Sequence, residues 1–128
     1  MDFQMFASLP AADLERARSC YEEKLGVKPT ETIDGDQTLM YVQGDGGFII
    51  YPSQFAGTNQ ATAAGLAVAD FDAAIAELRS RNVVFEDYDL GENFQTVDGI
   101  VSGPDGMRSA WFKDSEGNIL GITQDPRT

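Results

Sequence analysis

Apolar positions along the chain follow two periodicities that alternate and then recur. Leu14, Ala17, Tyr21 and Leu25 stand at spacings of three, four and four, which is one face of a helix. Asp13 precedes them with a carboxylate able to accept from a free N–H of the first turn. Gly26 follows, able to take the positive φ that ends a helix. Phe71, Ala74, Ile75 and Leu78 repeat this pattern after Asp70, with Glu77 and Arg81 as an (i, i+4) pair on the outer surface and Asn82 as the stop. Short apolar runs flank both helices. Phe3–Leu9, Val27–Ile33, Thr38–Gln43 and Gly47–Tyr51 read as strands, the last two joined through Gly44-Asp45-Gly46. Later in the chain, Ala63–Ala69, Val83–Tyr88, Gly99–Ser102, Ser109–Lys113 and Ile119–Thr123 read the same way. Pro52–Thr62 is a polar, aperiodic linker or arm, and Asp89–Val97 is a polar loop.

In outline the order is strand, helix, three strands, linker, strand, helix, three strands, an internal duplication. Its clearest echo is Ala12-Asp13-Leu14 against Ala69-Asp70-Phe71, an offset of 57 residues. The 128 residues make one domain, with module one at about 3–51, a linker at 52–62 and module two at about 63–124. Each helix has a single apolar face, so each covers one side of a sheet. The other side of each curved sheet stays open, and two such sheets enclose a cup.

Composition narrows the chemistry. Apolar residues are 42% of the chain, with eight Phe, four Tyr and one Trp, enough to build a core without disulfides. The net charge of −12 repels nucleic acid and anionic membranes and attracts cations. The chain has no histidine, which excludes Ser-His-Asp and Cys-His pairs, an imidazole base and His-ligated zinc. Cys20 stands alone, so neither a thiolate zinc site nor an internal disulfide can form. There is no membrane-length apolar run, and Met1-Asp2-Phe3-Gln4 lacks the basic start of a secretion signal, so a cytoplasmic location is expected.

Leu9-Pro10-Ala11-Ala12-Asp13-Leu14-Glu15-Arg16-Ala17, Tyr21-Glu22-Glu23-Lys24-Leu25-Gly26, Val68-Ala69-Asp70-Phe71-Asp72-Ala73-Ala74 and Trp111-Phe112-Lys113-Asp114-Ser115-Glu116-Gly117-Asn118-Ile119-Leu120 carry a resemblance. In these segments the chain resembles the vicinal oxygen chelate superfamily of glyoxalase I, bleomycin-resistance proteins and extradiol dioxygenases. The resemblance implies an α+β fold of two βαβββ modules forming a cup-shaped mixed sheet with helices outside. It also implies four metal-ligand positions, one on the first and one on the last strand of each module. These map to Phe6, Tyr51, Ala63 and Gly121. Three of them have no donor atom, and the Tyr51 phenol would have to ionise against a pKa of about 10. No metal and no cofactor are therefore expected.

What stands at those positions suggests a different use of the cup. Phe6 and Tyr51 would bring aromatic surface, while Ala63 and Gly121 would leave room beside it. Trp111 and Phe112 are strand neighbours, so one of them faces the cup, and Tyr41 is a further wall residue. The expected ligand-binding set is Phe6, Tyr41, Tyr51, Ala63, Trp111 and Gly121. Such a cleft suits a planar aromatic or cationic small molecule, a drug or natural product sequestered as in antibiotic resistance, in a homodimer. The alternatives are a lyase or isomerase with an unorthodox metal site or a carboxylate base such as Glu92, and a partner subunit with a vestigial cup. Asp87, Asp89 and Glu92 would then either be a solvated run or hold a cationic group, and Arg108 would bind a carboxylate or pair with Asp105. Asp114-x-Glu116-x-Asn118 has a glycine at the fourth position and Asp125 at the twelfth. It therefore reads as a hairpin turn and not as a calcium loop.

Overall fold

Each half of the duplication builds one four-stranded sheet. The first half runs β1 (Ala7–Ala11), α1 (Leu14–Leu25), β2 (Glu31–Ile33), β3 (Thr38–Gln43) and β4 (Gly46–Pro52). The second runs β5 (Thr62–Val68), α2 (Phe71–Ser80), β6 (Ile100–Ser102), β7 (Arg108–Lys113) and β8 (Ile119–Gln124). The computed structural model describes residues 1–35, 37–92 and 94–127. The sheet orders are β1-β4-β3-β2 and β5-β8-β7-β6, the same topology twice. In each sheet the first strand lies parallel to the last, and the other pairings are antiparallel. This is the α+β arrangement of two βαβββ modules expected from the element order. No helix among the described residues is long and apolar enough to cross a membrane.

Both helices start and stop where their end residues dictate. Asp13 accepts from the Arg16 N–H at 3.1 Å, and Asp70 from the Ala73 N–H at 3.0 Å. Gly26 closes α1 at φ 69°, its N–H bonded to the Glu22 carbonyl. The chain leaves α2 through Asn82 at φ 64°. Ala17 and Tyr21 of α1, and Phe71, Ile75 and Leu78 of α2, are buried. They join Leu9, Leu39, Ile50, Phe112, Leu120 and Ile122 in one core.

Register decides which strand residues reach that core. Leu39 pairs with Ile50 and Tyr41 with Phe48, all on the helix side, while Met40 and Ile49 face the other way. Ala110 and Phe112 pair with Ile122 and Leu120 in the core, so Trp111 and its partner Gly121 face away from the helices.

Three expected strands differ. The first begins at Ala7, not Phe3, because at its start β4 offers only Gly46 and Gly47, which give Phe3–Phe6 no side chain to pack on. Pro10 lies within β1 and is tolerated at a sheet edge, where its missing N–H breaks no ladder. Only Glu31–Ile33 of the run from Val27 is strand. Val83–Tyr88 is not a strand: β6 takes the β7 edge from Arg108 to Ala110, leaving one sheet-like bond from the Glu86 N–H to the Trp111 carbonyl at 2.8 Å.

Candidate functional site: an aromatic cluster on the open sheet face

The side of the second sheet away from the helices carries a three-ring cluster. The Trp111 indole lies 5.4 Å from Phe94 and 5.9 Å, edge-on, from Tyr88, centroid to centroid, and Tyr88 and Phe94 are 6.5 Å apart. Trp111 comes from β7, whereas Tyr88 and Phe94 come from the connector between α2 and β6. A side chain on Gly121 would meet the indole, since a Cβ there would lie 3.1 Å from Trp111 Nε1. The glycine thus leaves the indole room to approach β8.

The connector is held by its own hydrogen bonds, with Asn93 outside the described residues. Leu90 donates its N–H to the Phe94 carbonyl at 2.9 Å, and Thr96 to that of Tyr88 at 2.9 Å. Asp87 Oδ1 accepts from Thr96 Oγ1 at 2.9 Å and from the Gly99 N–H at 2.8 Å. Asp87 is therefore engaged in shaping the loop, although it is exposed like Asp89 and Glu92. Burial, followed by the nearby Glu86 charge, raises the Tyr88 pKa and keeps the phenol neutral.

The expected site residues separate. Trp111 and Gly121 meet on the second sheet. Ala63 lies half-buried at a bulge of β5 between Thr62 and Ala64. Tyr51 is half-buried on β4 of the first sheet, on the face away from the helices, where it pairs with Pro10. Phe6 stands before β1 and is 62% exposed. Tyr41 belongs to the other face: it is buried under α1, stacked on Phe48 at 4.5 Å and 5.9 Å from Tyr21. Burial pushes its phenol up to about 12, and among the described residues its hydroxyl has no partner. The correction to Tyr41 is one of parity: it shares its face with Leu39, not with Met40. Arg108 is also reassigned. It makes a two-pronged pair with Asp72 at 2.7 and 3.1 Å and lies over the Phe71 ring.

Tyr88 and Phe94 are the site residues that the sequence pattern did not single out. The signal was two aromatics inside an otherwise polar stretch, Tyr88-Asp89-Leu90-Gly91-Glu92-Asn93-Phe94-Gln95. A polar loop has little reason to keep two rings unless they lie on something apolar.

The donor set does not fit a divalent ion. Phe6, Ala63 and Gly121 offer no ligand atom, and Tyr51 offers a phenol alone. Among the described residues no three His, Cys, Asp or Glu are grouped to hold a metal.

The Asp114–Asn118 turn has a structural task instead. Glu116 is 5% exposed. Its Oε1 accepts from the Ala12 and Asp13 N–H groups, each at 2.9 Å, and from Arg16 Nη2 at 3.0 Å. Its Oε2 accepts from Arg16 Nε at 2.8 Å and Ser115 Oγ at 2.7 Å. Burial works to raise its pKa, but the bonds from Arg16, Ser115 and Asp13 and the Arg16 charge prevail and hold it at about 2. Asp114 Oδ2 accepts from the Tyr21 hydroxyl at 2.6 Å and from Asn118 Nδ2 at 2.9 Å, and Asn118 also reaches the Pro10 carbonyl at 3.0 Å. This turn of module two thereby fastens α1 of module one.

Known proteins agree with this architecture. The family model described as Glyoxalase/Bleomycin resistance protein/Dioxygenase superfamily matches residues 4–122. Among curated proteins none matches. A glyoxalase/bleomycin resistance protein from Catenulispora acidiphila superposes with a TM-score of 0.71 at 20% identity, covering 98% of this chain and 100% of its own. The bleomycin resistance determinant encoded on the transposon Tn5 gives 0.71 at 16% identity, over 98% and 99% of the two chains. An antibiotic binding protein from Streptomyces sp. CB03234 gives 0.63 at 21% identity, over 98% of each. At these identities the likeness is one of fold.

Proposed function

The chain belongs to the Glyoxalase/Bleomycin resistance protein/Dioxygenase superfamily, and from that premise we propose that it is a metal-independent small-molecule-binding protein. Its ligand is a planar aromatic, preferably cationic, molecule held against the open sheet face, a drug or natural product kept out of harm's way in the cytoplasm. The protein works as a homodimer, the second copy covering the open side of that face. The observation that carries this reading is the ring cluster of Trp111, Tyr88 and Phe94 on the face away from the core. Flat rings at edge and tilted angles offer stacking surface that a planar ligand can share. The net charge of −12 adds a field that favours a cation. A solved relative of the same fold is described as an antibiotic binding protein, which fits the reading.

Trp111 is the only tryptophan, so its emission reports on the site alone. Titration with an acridinium dye should quench it and saturate in the micromolar range, and Phe94→Ala should weaken that binding. Absence of any response to a broad panel of planar cations overturns the ligand reading. One divalent ion per chain retained after dialysis overturns its metal independence.

A further inference from the structure

Two of the three rings on the open face, Tyr88 and Phe94, stand outside the strands. They meet Trp111 only through the way the connector folds back on itself. Its base is fixed. Phe85 packs edge-on against Phe112 of the core at 5.9 Å, and Gly99 passes so close that a Cβ there would lie 2.5 Å from that of Phe85. Asp98 and Gly99 both take positive φ, 52° and 79°, as the two central residues of a tight hairpin turn do. The turn joins Val97 to Ile100, and Arg79 of α2 donates to the Asp98 carbonyl at 2.7 Å. Beyond this base the two arms of the connector run antiparallel, with Asp89 opposite Gln95 and therefore Tyr88 opposite Thr96.

Thr96 holds the Tyr88 peptide from both sides. Its N–H donates to the Tyr88 carbonyl at 2.9 Å, and its Oγ1 accepts from the Tyr88 N–H at 2.7 Å. The second bond goes to a hydroxyl where a regular antiparallel pair would use the Thr96 carbonyl. The hydroxyl has one proton to give. Asp87 Oδ1 lies at 2.9 Å and the Tyr88 carbonyl at 3.2 Å, and the carboxylate is both the nearer and the stronger acceptor. The same Oδ1 accepts from the Gly99 N–H at 2.8 Å. A continuous chain of bonds thus runs from Gly99 at the fixed base through Asp87 and Thr96 to Tyr88, whose ring stands edge-on to the Trp111 indole at 5.9 Å.

We infer that Thr96 is a positioning residue for the ring cluster: its hydroxyl sets Tyr88 against Trp111 before a ligand arrives, so that a planar molecule meets a preformed surface. Valine has the shape of threonine but removes both the acceptor of the Tyr88 N–H and the donor to Asp87. Serine keeps both. The consequence for binding rests on the ligand reading proposed above, whereas the ring geometry can be measured without a ligand. The test compares the full chain with Thr96→Val and Thr96→Ser, folding being checked by urea unfolding. Without ligand, acrylamide should quench Trp111 roughly twofold more steeply in Thr96→Val, as the connector opens locally, and as in the wild type in Thr96→Ser. Thr96→Val should raise the dissociation constant of the acridinium dye about tenfold, and Thr96→Ser should leave it close to the wild-type value. Unchanged quenching in Thr96→Val overturns the inference. Equal damage by both substitutions also overturns it, because the hydroxyl would then not be the operative group. Steeper quenching with an unchanged dissociation constant overturns the preformed surface. A wild type that binds no dye sinks the ligand reading, and the quenching comparison alone then decides on Thr96. Should Thr96→Val fail to fold, Asp87→Ala removes the carboxylate that orients the hydroxyl and is read by the same two measurements with the same outcomes.

Discussion

The two modules share one topology but differ at the hairpin joining their last two strands. In module two the β7–β8 turn reads Asp114-Ser115-Glu116-Gly117-Asn118 and sends side chains into module one. Glu116 meets the start of α1, Asp114 meets Tyr21 and Asn118 meets the end of β1. In module one the β3–β4 turn is Gly44-Asp45, two residues that carry no such set. Beside it the groove between the helices stays open from Ala7 to Ala74. A duplicated fold thus has one fastened end and one unfastened end. The first hides a carboxylate, and the second exposes aliphatic surface. The lesson concerns the unit of duplication: topology is repeated, while the buried latch at the β7–β8 turn has no counterpart at the β3–β4 turn, and Lys24 of α1 joins the modules separately through the Arg81 and Asn82 carbonyls.

The largest effect expected on this contrast comes from removing the fastening. Glu116→Gln keeps the shape but turns one acceptor oxygen into a donor facing N–H groups and a guanidinium. Holding the carboxyl at about 2 against an ordinary 4.5 is worth on the order of 3 kcal/mol. A loss of about that size in urea-unfolding stability at neutral pH is expected, somewhat offset because Arg16 is half in water and is not stranded. The sign of the pH dependence follows. The folded-state pKa is depressed, so the contribution is present above 4.5 and is lost as pH falls from there through about 2. The wild type should lose this part of its stability across that window and Glu116→Gln should not. Equal acid sensitivity in the two proteins would show that the carboxylate is not what fastens α1.

A smaller effect should follow from Tyr21→Phe. The phenol donates to Asp114 at 2.6 Å inside the core, and burial followed by the Asp114 charge raises its pKa, so it stays a donor at all working pH values. Deleting the hydroxyl leaves Asp114 Oδ2 with Asn118 alone and should cost roughly 1–2 kcal/mol. The ring contacts to Tyr41 and Phe48 survive the substitution, so a larger loss in urea unfolding would point to repacking of α1.

These contrasts also mark how far the sequence can be read. Helix ends were legible because the information is local: Asp13, Asp70 and Gly26 act on backbone within four residues. The duplication was legible for the same reason, as an element order with a short echo. Glu116 was not, because its partners in module one lie 100 or more residues away, and nothing in Asp-x-Glu-x-Asn distinguishes a solvated turn from a buried latch. Of the candidate site, Gly121 came from the resemblance, by its spacing after Asn118, and alternation along β7 said only that one of Trp111 and Phe112 faces away from the helices; that Trp111 is the one, and that it lies against Gly121, appeared only in the fold. Tyr41 failed by one step of parity, since a strand of both-sided apolar residues, Thr38-Leu39-Met40-Tyr41-Val42, does not announce which face is inward. Tyr88 and Phe94 were missed because a connector without periodicity shows its contacts only once it is folded.

On the open face, Phe94→Ala should lower affinity for a planar dye by about threefold to tenfold, the stacking worth of one ring in a cluster. The unfolding midpoint should change little, because Phe94 is half-exposed on the connector. A large stability loss with unchanged dye binding would assign the cluster to the fold instead of the site.

The smallest effect is expected at a pair that looks strong on geometry alone. Arg108 and Asp72 make two short bonds, at 2.7 and 3.1 Å, which hold the Asp72 pKa below its ordinary value despite burial acting the other way. Yet the Asp72 side chain is 76% exposed and Arg108 33%. Water competes for both partners, and the guanidinium keeps its position over Phe71 at 4.8 Å whether or not the carboxylate is there. Asp72→Asn should therefore leave the urea-unfolding midpoint almost unchanged, with any small loss gone in high salt. Glu116 also accepts two bonds from an arginine, but it is buried and accepts three more, from Ala12, Asp13 and Ser115, so the two substitutions differ in burial and in the bonds lost. If Asp72→Asn proved as damaging as Glu116→Gln, burial and the extra backbone bonds would not be what separates the fastened end from the surface, and the asymmetry of the seam would need another origin.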